Sequence, residues 1–391
     1  MIDNINRILD DIYLSLNKVD VPYEDSGFIK RDILLFNFVY LKYRDELVLP
    51  DGFVQEVQAF SEMAVSMNGV SFCGGRAGAK WFYVYLGERG IIDEEDISLI
   101  CNDDASLASV ALEMVRNGDS DFLHGSLGIA YYLLKRGDDW KNFFFDTFFK
   151  ELNLLRQKSL CGRVVPKYDF FERVIKKGEV NLGLAHGIVS VIKFCLQCYR
   201  QGICRVEAKS LCGMLVDFLL EHQNSNTSRS FFPYEVKIGE DMDKYSRMAW
   251  CYGDLSVAYI LYEVACVFND KDLEFFSLKV LRQCGERIDL QAEKVFDAGF
   301  CHGAAGIAHI FNKVWHNTGD EFFKQACDYW MKQTIAFCRY NDGVGGYKSF
   351  ISSSGTYENC YSILEGTAGI GMVMYSYLTG DFSWDYCLML N

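Results

Sequence analysis

The sequence predicts an all-α fold, an α/α toroid in which inner and outer helices alternate through six or seven helical hairpins. Three observations carry this expectation: few prolines, apolar residues at helical spacing along nearly the whole chain, and a glycine motif that recurs six times. Prolines number only 4 in 391 residues, Pro22, Pro50, Pro166 and Pro233, so few positions lack the amide that a helix interior needs. Stretches such as "DILLFNFVYLKYRDELVL" and "EFFSLKVLRQCGERI" repeat apolar residues with the 3.6-residue period of a helix.

Taken in order, the chain begins with "MIDNINRILDDIYLSLNKVD", which has no basic-then-apolar signal; Ile5, Ile8, Leu9, Ile12 and Leu16 share one helical face. A single toroid domain spanning 1–391 is expected, its first 30 residues or so serving as a helical lead-in. The motif then appears as "CGGRAGAKWFYVYL", "LHGSLGIAYYLL", "AHGIVSVIKFCL", "CYGDLSVAYILY", "CHGAAGIAHIF" and "LEGTAGIGMVMYSYL". Its first glycines are Gly75, Gly125, Gly187, Gly253, Gly303 and Gly366, spaced 50 to 66 residues apart. That period fits one helical hairpin plus a loop. Two small residues three apart at a helix start let backbones approach closely, and the apolar helix that follows is of the buried kind. The intervening "WKNFFFDTFFKELNLLRQK" and "EFFKQACDYWMKQTIAFC" are amphipathic and suit an outer layer. "RDILLFNFVYLKYRD", unmarked by glycine, is the candidate for a seventh inner helix. Only "SRSFFPYEV", 228–236, reads as extended.

Composition narrows the partners. Half the residues are apolar, enough for a large core, and 53 acidic against 39 basic residues give a net charge of -14, which argues against nucleic acid and anionic membranes. No run approaches the ~18 apolar residues of a membrane span, so none is expected. Fifteen cysteines, an odd number with no regular framework, indicate a reduced, cytoplasmic protein whose thiols mostly fill core.

In a closed toroid all repeat starts share one end, so residues just before the glycines converge. Two places before, the repeats carry Cys73, Leu123, Ala185, Cys251, Cys301 and Leu364; one place before, Gly74, His124, His186, Tyr252, His302 and Glu365. Cys251, Cys301 and His302 make a zinc set with a fourth tetrahedral position open, the arrangement of catalytic rather than structural zinc. The bland alternative for each cysteine is a small buried side chain beside a helix start. His186 is a candidate acid or base, or a hydrogen-bonded core histidine. Asp121 either orients an imidazole or caps its helix. His124 shares the repeat position of His186 and rivals it. Arg247 either stabilises an oxyanion or pairs with a carboxylate. His222, His309 and His316 lie off the converging positions and read as structural.

"SRMAWCYGDLS" followed by "CHGAAGI", with "GLAHG" upstream and "DFSWDYCLMLN" at the end, resembles the lanthionine synthetase C family of lanthipeptide cyclases, from about residue 30 to 391. The resemblance implies a toroid of seven inner and seven outer helices and a Zn2+ held by Cys251, Cys301 and His302. It implies His186 as acid or base with Asp121 beside it, and places Arg247 and Tyr252 in the active site. The implied substrate is a precursor peptide with dehydrated Ser and Thr, the implied reaction addition of a cysteine thiolate to those residues, and the implied partner a separate dehydratase, with peripheral association to a biosynthetic complex. Ser190 and Ser256 replace the family's usual glycine, and His124 and Cys73 have no counterpart role. Other readings remain: a prenyltransferase-like zinc enzyme, which ordinarily uses an aspartate ligand; a glycosidase, for which only Asp121 and Glu365 converge; and a zinc protein that binds thiols or peptides, or adds glutathione to dehydro residues without closing rings.

Overall fold

The computed structural model describes residues 1–19, 27–45, 48–136, 141–170, 172–225, 228–240 and 244–391. In chain order the helices are α1 (Ile2–Leu16), α2 (Gly27–Tyr43), α3 (Asp51–Ser66), α4 (Arg76–Gly87), the short α5 (Glu94–Ile100), α6 (Asp104–Arg116), α7 (Ser126–Leu133), α8 (Lys141–Gln157), α9 (Ile188–Arg200), α10 (Arg205–Glu221), α11 (Asp254–Phe268), α12 (Lys271–Glu286), α13 (Ala304–Thr318), α14 (Glu321–Ala336) and α15 (Thr367–Thr379). Among the described residues six three-residue strands form three antiparallel pairs: β1 (Lys167–Asp169) with β2 (Val174–Lys176), β3 (Glu179–Asn181) with β4 (Glu235–Lys237), and β5 (Ser349–Ile351) with β6 (Thr356–Glu358).

Helices α2, α4, α7, α9, α11, α13 and α15 pack each on the next, and α15 returns to α2, so they close a ring. Six begin at the repeat glycines, and the seventh, α2, is the unmarked stretch anticipated from sequence. Helices α1, α3, α6, α8, α10, α12 and α14 pack outside them. The fold is an α/α toroid. The N-terminal α1 packs on α15 and α2, thereby covering the seam between the two ends of the chain.

At four of the six repeat starts glycine is required by close approach. A Cβ at Gly306 would lie 1.8 Å from the Phe300 carbonyl oxygen, and one at Gly78 would lie 1.9 Å from that of Phe72. Ser190 and Ser256, which replace this glycine, are buried and turn their hydroxyls to the carbonyls of Gly187 (2.6 Å) and Gly253 (3.3 Å). The rim loops are also stitched together through their main chains. The amide of Cys73 donates to Leu123 (2.8 Å), Ala185 to Cys251 (3.1 Å), Cys251 to Cys301 (3.3 Å) and Cys301 to Leu364 (2.6 Å). Each pair joins the same position, two before the glycine, in successive repeats.

The C-terminal segment fills the middle of the ring. Trp384, Tyr386, Met389 and Leu390 are buried. Trp250 Nε1 donates to the Leu388 carbonyl (2.9 Å), Tyr386 donates its hydroxyl to the Tyr131 carbonyl (2.7 Å), and the Tyr131 and Tyr386 rings stack at 4.3 Å. The expectation of extended chain over 228–236 is met only at its end, where β4 pairs with β3; the hairpins β1–β2 and β5–β6 were not anticipated. All 15 cysteines are free thiols, and among the described residues no helix is long and apolar enough to cross a membrane.

Candidate metal and acid–base site

Cys251 precedes α11 and Cys301 and His302 precede α13, two neighbouring inner helices. Their ligand atoms lie within 4.8 Å of one another, and among the described residues no other such group of three occurs. The main-chain bond from Cys251 to Cys301 fixes this proximity independently of the side chains. A hydrogen bond from Cys301, aided by His302, holds the Cys251 thiol well below the usual thiol range against the opposing effect of burial. The same hydrogen bond and burial push Cys301 up. His302 is raised, because the hydrogen bond and charge of Cys251 outweigh its burial. Two soft sulfur donors and an imidazole this close, one of the thiols already inclined to ionise, fit a single zinc with its bonds of about 2.0–2.3 Å.

The loop that delivers Cys251 rests on buried charge. Arg287 Nη1 donates to Asp254 (2.9 Å) and its Nε and Nη2 to Glu293 (3.0 and 2.6 Å). Asp254 accepts the amides of Phe231 and Phe232, and Glu293 accepts that of Met248 (3.1 Å). All three charged residues are buried, so each is paired, as buried charge must be. Gly253, at φ 101, completes the turn; a Cβ there would meet the Arg247 carbonyl oxygen at 2.1 Å.

In the adjoining repeat of the rim, His186 Nδ1 hydrogen-bonds Asp121 Oδ2 at 2.6 Å, while Asp121 Oδ1 accepts the His124 amide at 2.7 Å. Asp121 is buried and the His186 side chain is 39% exposed. Burial opposes protonation of His186, but the hydrogen bond and charge of Asp121 outweigh it, so His186 titrates above the ordinary histidine value. The Asp121 contact leaves Nε2 as the open nitrogen. The charge of Cys251 reaches His186 and also helps to raise it. Phe170, on the loop after β1, stands edge-on to His186 at 6.0 Å.

Arg247 Nη1 donates to the Lys294 carbonyl (3.1 Å), its guanidinium lies over the Tyr252 ring at 5.7 Å, and its charge reaches both Cys251 and Cys301. Its buried Nε has no partner among the described residues. Burial raises Tyr252, with Arg247 opposing.

The remaining singled-out residues fall elsewhere. Cys73 lies in the main-chain ring but outside the three-ligand cluster, and burial pushes it up to about 11. Glu365 is exposed on the rim. His309 is fully buried against Asp385 at 2.9 Å. His222 and His316 hydrogen-bond carbonyls within their own helices. Cys195 and Cys198, spaced Cys-x-x-Cys on α9, are both buried and belong to no cluster of three ligands. Residue reasoning missed Phe170, Asp254, Arg287 and Glu293. The only trace of them in the sequence is Asp254 directly after a repeat glycine.

A family model described as lanthionine synthetase C-like protein matches residues 40–389. Among solved structures, nisin cyclase is similar in fold, with a TM-score of 0.73 at 18% identity, covering 99% of this chain and 97% of that one.

Proposed function

The chain belongs to the lanthionine synthetase C-like family, and from that premise we propose that it is a zinc-dependent lanthipeptide cyclase. In this reading it adds cysteine thiolates of a dehydrated precursor peptide to dehydroalanine or dehydrobutyrine and closes (methyl)lanthionine rings. The observation that carries the proposal is the cluster of Cys251, Cys301 and His302 on the same rim as the His186–Asp121 pair. Nisin cyclase, by its name, acts in ring closure, and its fold is shared.

Zinc held by these three residues supplies acidity to a thiol, whose free value is about 8.5, so that a peptide cysteine ionises near neutral pH. Cys251 and Cys301, as thiolates, would balance the charge of the dication they would hold, and the neutral imidazole of His302 would add none. His186, with Nδ1 held by Asp121, presents Nε2 to protonate Cα of the enolate that forms when sulfur bonds to Cβ. Arg247, lying over Tyr252 with Nε unpartnered, is the donor for the enolate oxygen. Tyr168 and Phe170 line the cleft beside His186 and give the peptide an apolar wall. The toroid is read as one domain over 1–391, working in the cytoplasm with a separate dehydratase and peripheral to any assembly.

The test is zinc content together with mass and free-thiol counts on a dehydrated, cysteine-containing peptide. Ring closure consumes thiol at constant mass. Cys301→Ala is expected to lose both zinc and cyclisation while remaining helical, and full zinc occupancy in that variant sinks the ligand assignment. A gain in mass equal to glutathione, with no ring, would replace this reading with intermolecular thiol addition.

A further inference from the structure

We infer that His124 is a proton relay for His186, reloading Nε2 through one bridging water after that nitrogen has given its proton to Cα. The inference rests on the cyclase reading and names a residue that reading leaves idle.

The addition moves one proton and no net charge. The S–H bond breaks, an S–C bond forms at Cβ, the C=C π bond is consumed, and Cα gains a proton. His186 has one open nitrogen, so each turnover leaves it neutral, and a proton equal to the one the thiol released must return to the same atom. His124 is placed for that return. It occupies the same repeat position as His186, one repeat earlier, and one carboxylate positions both: Asp121 takes the His124 amide on one oxygen and the His186 ring on the other. The two imidazoles lie near parallel, at 17°, with centroids 5.9 Å apart. Among the described residues no hydrogen bond joins them, so a proton passing between them travels through water. His124 is exposed, and among the described residues neither of its ring nitrogens has a hydrogen-bonding partner. Phe170 stands edge-on to both rings, at 6.0 Å from each, and closes one side of the pair.

The surroundings set the direction of transfer. Although its outer edge is open to solvent, partial desolvation of the His124 ring, with the charge of His186, lowers it, only partly offset by Asp121, whereas Asp121 raises His186. A proton on His124 therefore passes downhill to His186, the separation of affinities that divides acid from base. The groups facing the pair are Asp121 and, toward His186, Cys251; Asp119 holds the Asp121 amide, and Tyr168 packs behind Phe170. His124 acts through His186 rather than on the reacting atoms, so it is a positioning residue with a relay role.

The test is His124→Phe in the full-length, zinc-loaded protein, which keeps a flat ring and removes both nitrogens. We expect kcat on a dehydrated cysteine peptide to fall about tenfold, a modest share of the range for proton-transfer groups, with KM unchanged and partial recovery on adding imidazole. An undiminished kcat, or a loss that imidazole does not repair, overturns the relay. Imidazole NMR titration provides a readout free of activity. The charge of His186 holds the His124 curve down in the unaltered protein, and in His186→Phe the His124 curve moves to higher pH; identical His124 curves overturn the pairing. An unaltered protein that leaves the peptide unchanged defeats the cyclase reading instead, and the titration still decides whether the two histidines are linked.

Discussion

Among the described residues the toroid contains two histidine–aspartate pairs, one at the rim and one at the centre of the ring, and they differ in everything but composition. His186 meets Asp121 at 2.6 Å on the rim, with 39% of its side chain exposed. His309 meets Asp385 at 2.9 Å in the centre of the ring, with neither side chain exposed. Asp385 also accepts from Lys313 Nζ at 2.7 Å. The outcomes are opposite: Asp121 raises His186, whereas burial lowers His309 despite Asp385, and Lys313 lowers it further. A carboxylate partner therefore does not by itself make a histidine an acid. Exposure of the open nitrogen and the absence of a competing cation decide it. The central pair anchors the C-terminal segment, and the rim pair is free to exchange protons.

Three experiments press on this contrast. The largest effect is expected for His186→Ala, which should slow cyclisation by about 10²–10⁴-fold while zinc content stays that of the unaltered protein. An unimpaired rate removes the rim pair from the chemistry. Next, Asp385→Ala should destabilise by about 3–5 kcal/mol, because Lys313 is left buried without its partner. Denaturant unfolding measures this, and a loss no greater than that of Asp121→Ala would erase the distinction between anchor and acid. The smallest change concerns position rather than size. Because Asp121 keeps His186 protonated above the ordinary histidine value, the rate is present below the raised value and is lost as pH rises through it. In Asp121→Asn that alkaline limb should move to lower pH, and a profile that does not move shows that another group sets it.

The ring of helices was legible in the sequence because its cause is local. Gly78, Gly128, Gly306 and Gly369 each face a carbonyl oxygen within about 2 Å of where a Cβ would stand, so the helix starts announce themselves at fixed intervals. The proximity of Cys251, Cys301 and His302 was legible for the same reason, since the three sit at counted offsets from those glycines. The partnership of Asp121 with His186 was not: one precedes α7 and the other α9, and nothing in their spacing says which oxygen meets which nitrogen. That pairing came from family resemblance. The hairpins β1–β2 and β5–β6 escaped because three-residue strands carry too little alternation to be seen. The support beneath Cys251 escaped because Arg287, Asp254 and Glu293 are charged residues drawn inward only by one another.

The main-chain stitching of the rim makes the toroid a carousel of numbered seats. Cys251 and Cys301 occupy neighbouring seats whose backbones already touch through an amide and a carbonyl. Ala185, whose amide reaches the Cys251 carbonyl, occupies the seat on the other side, and Leu364, which accepts from Cys301, the one beyond. Side chains placed in adjacent seats meet whatever their identity, because the meeting is arranged by peptide groups that every residue but proline possesses. On such a scaffold a two-residue site can arise by changing what sits in two seats, with no loop redesigned and no helix moved.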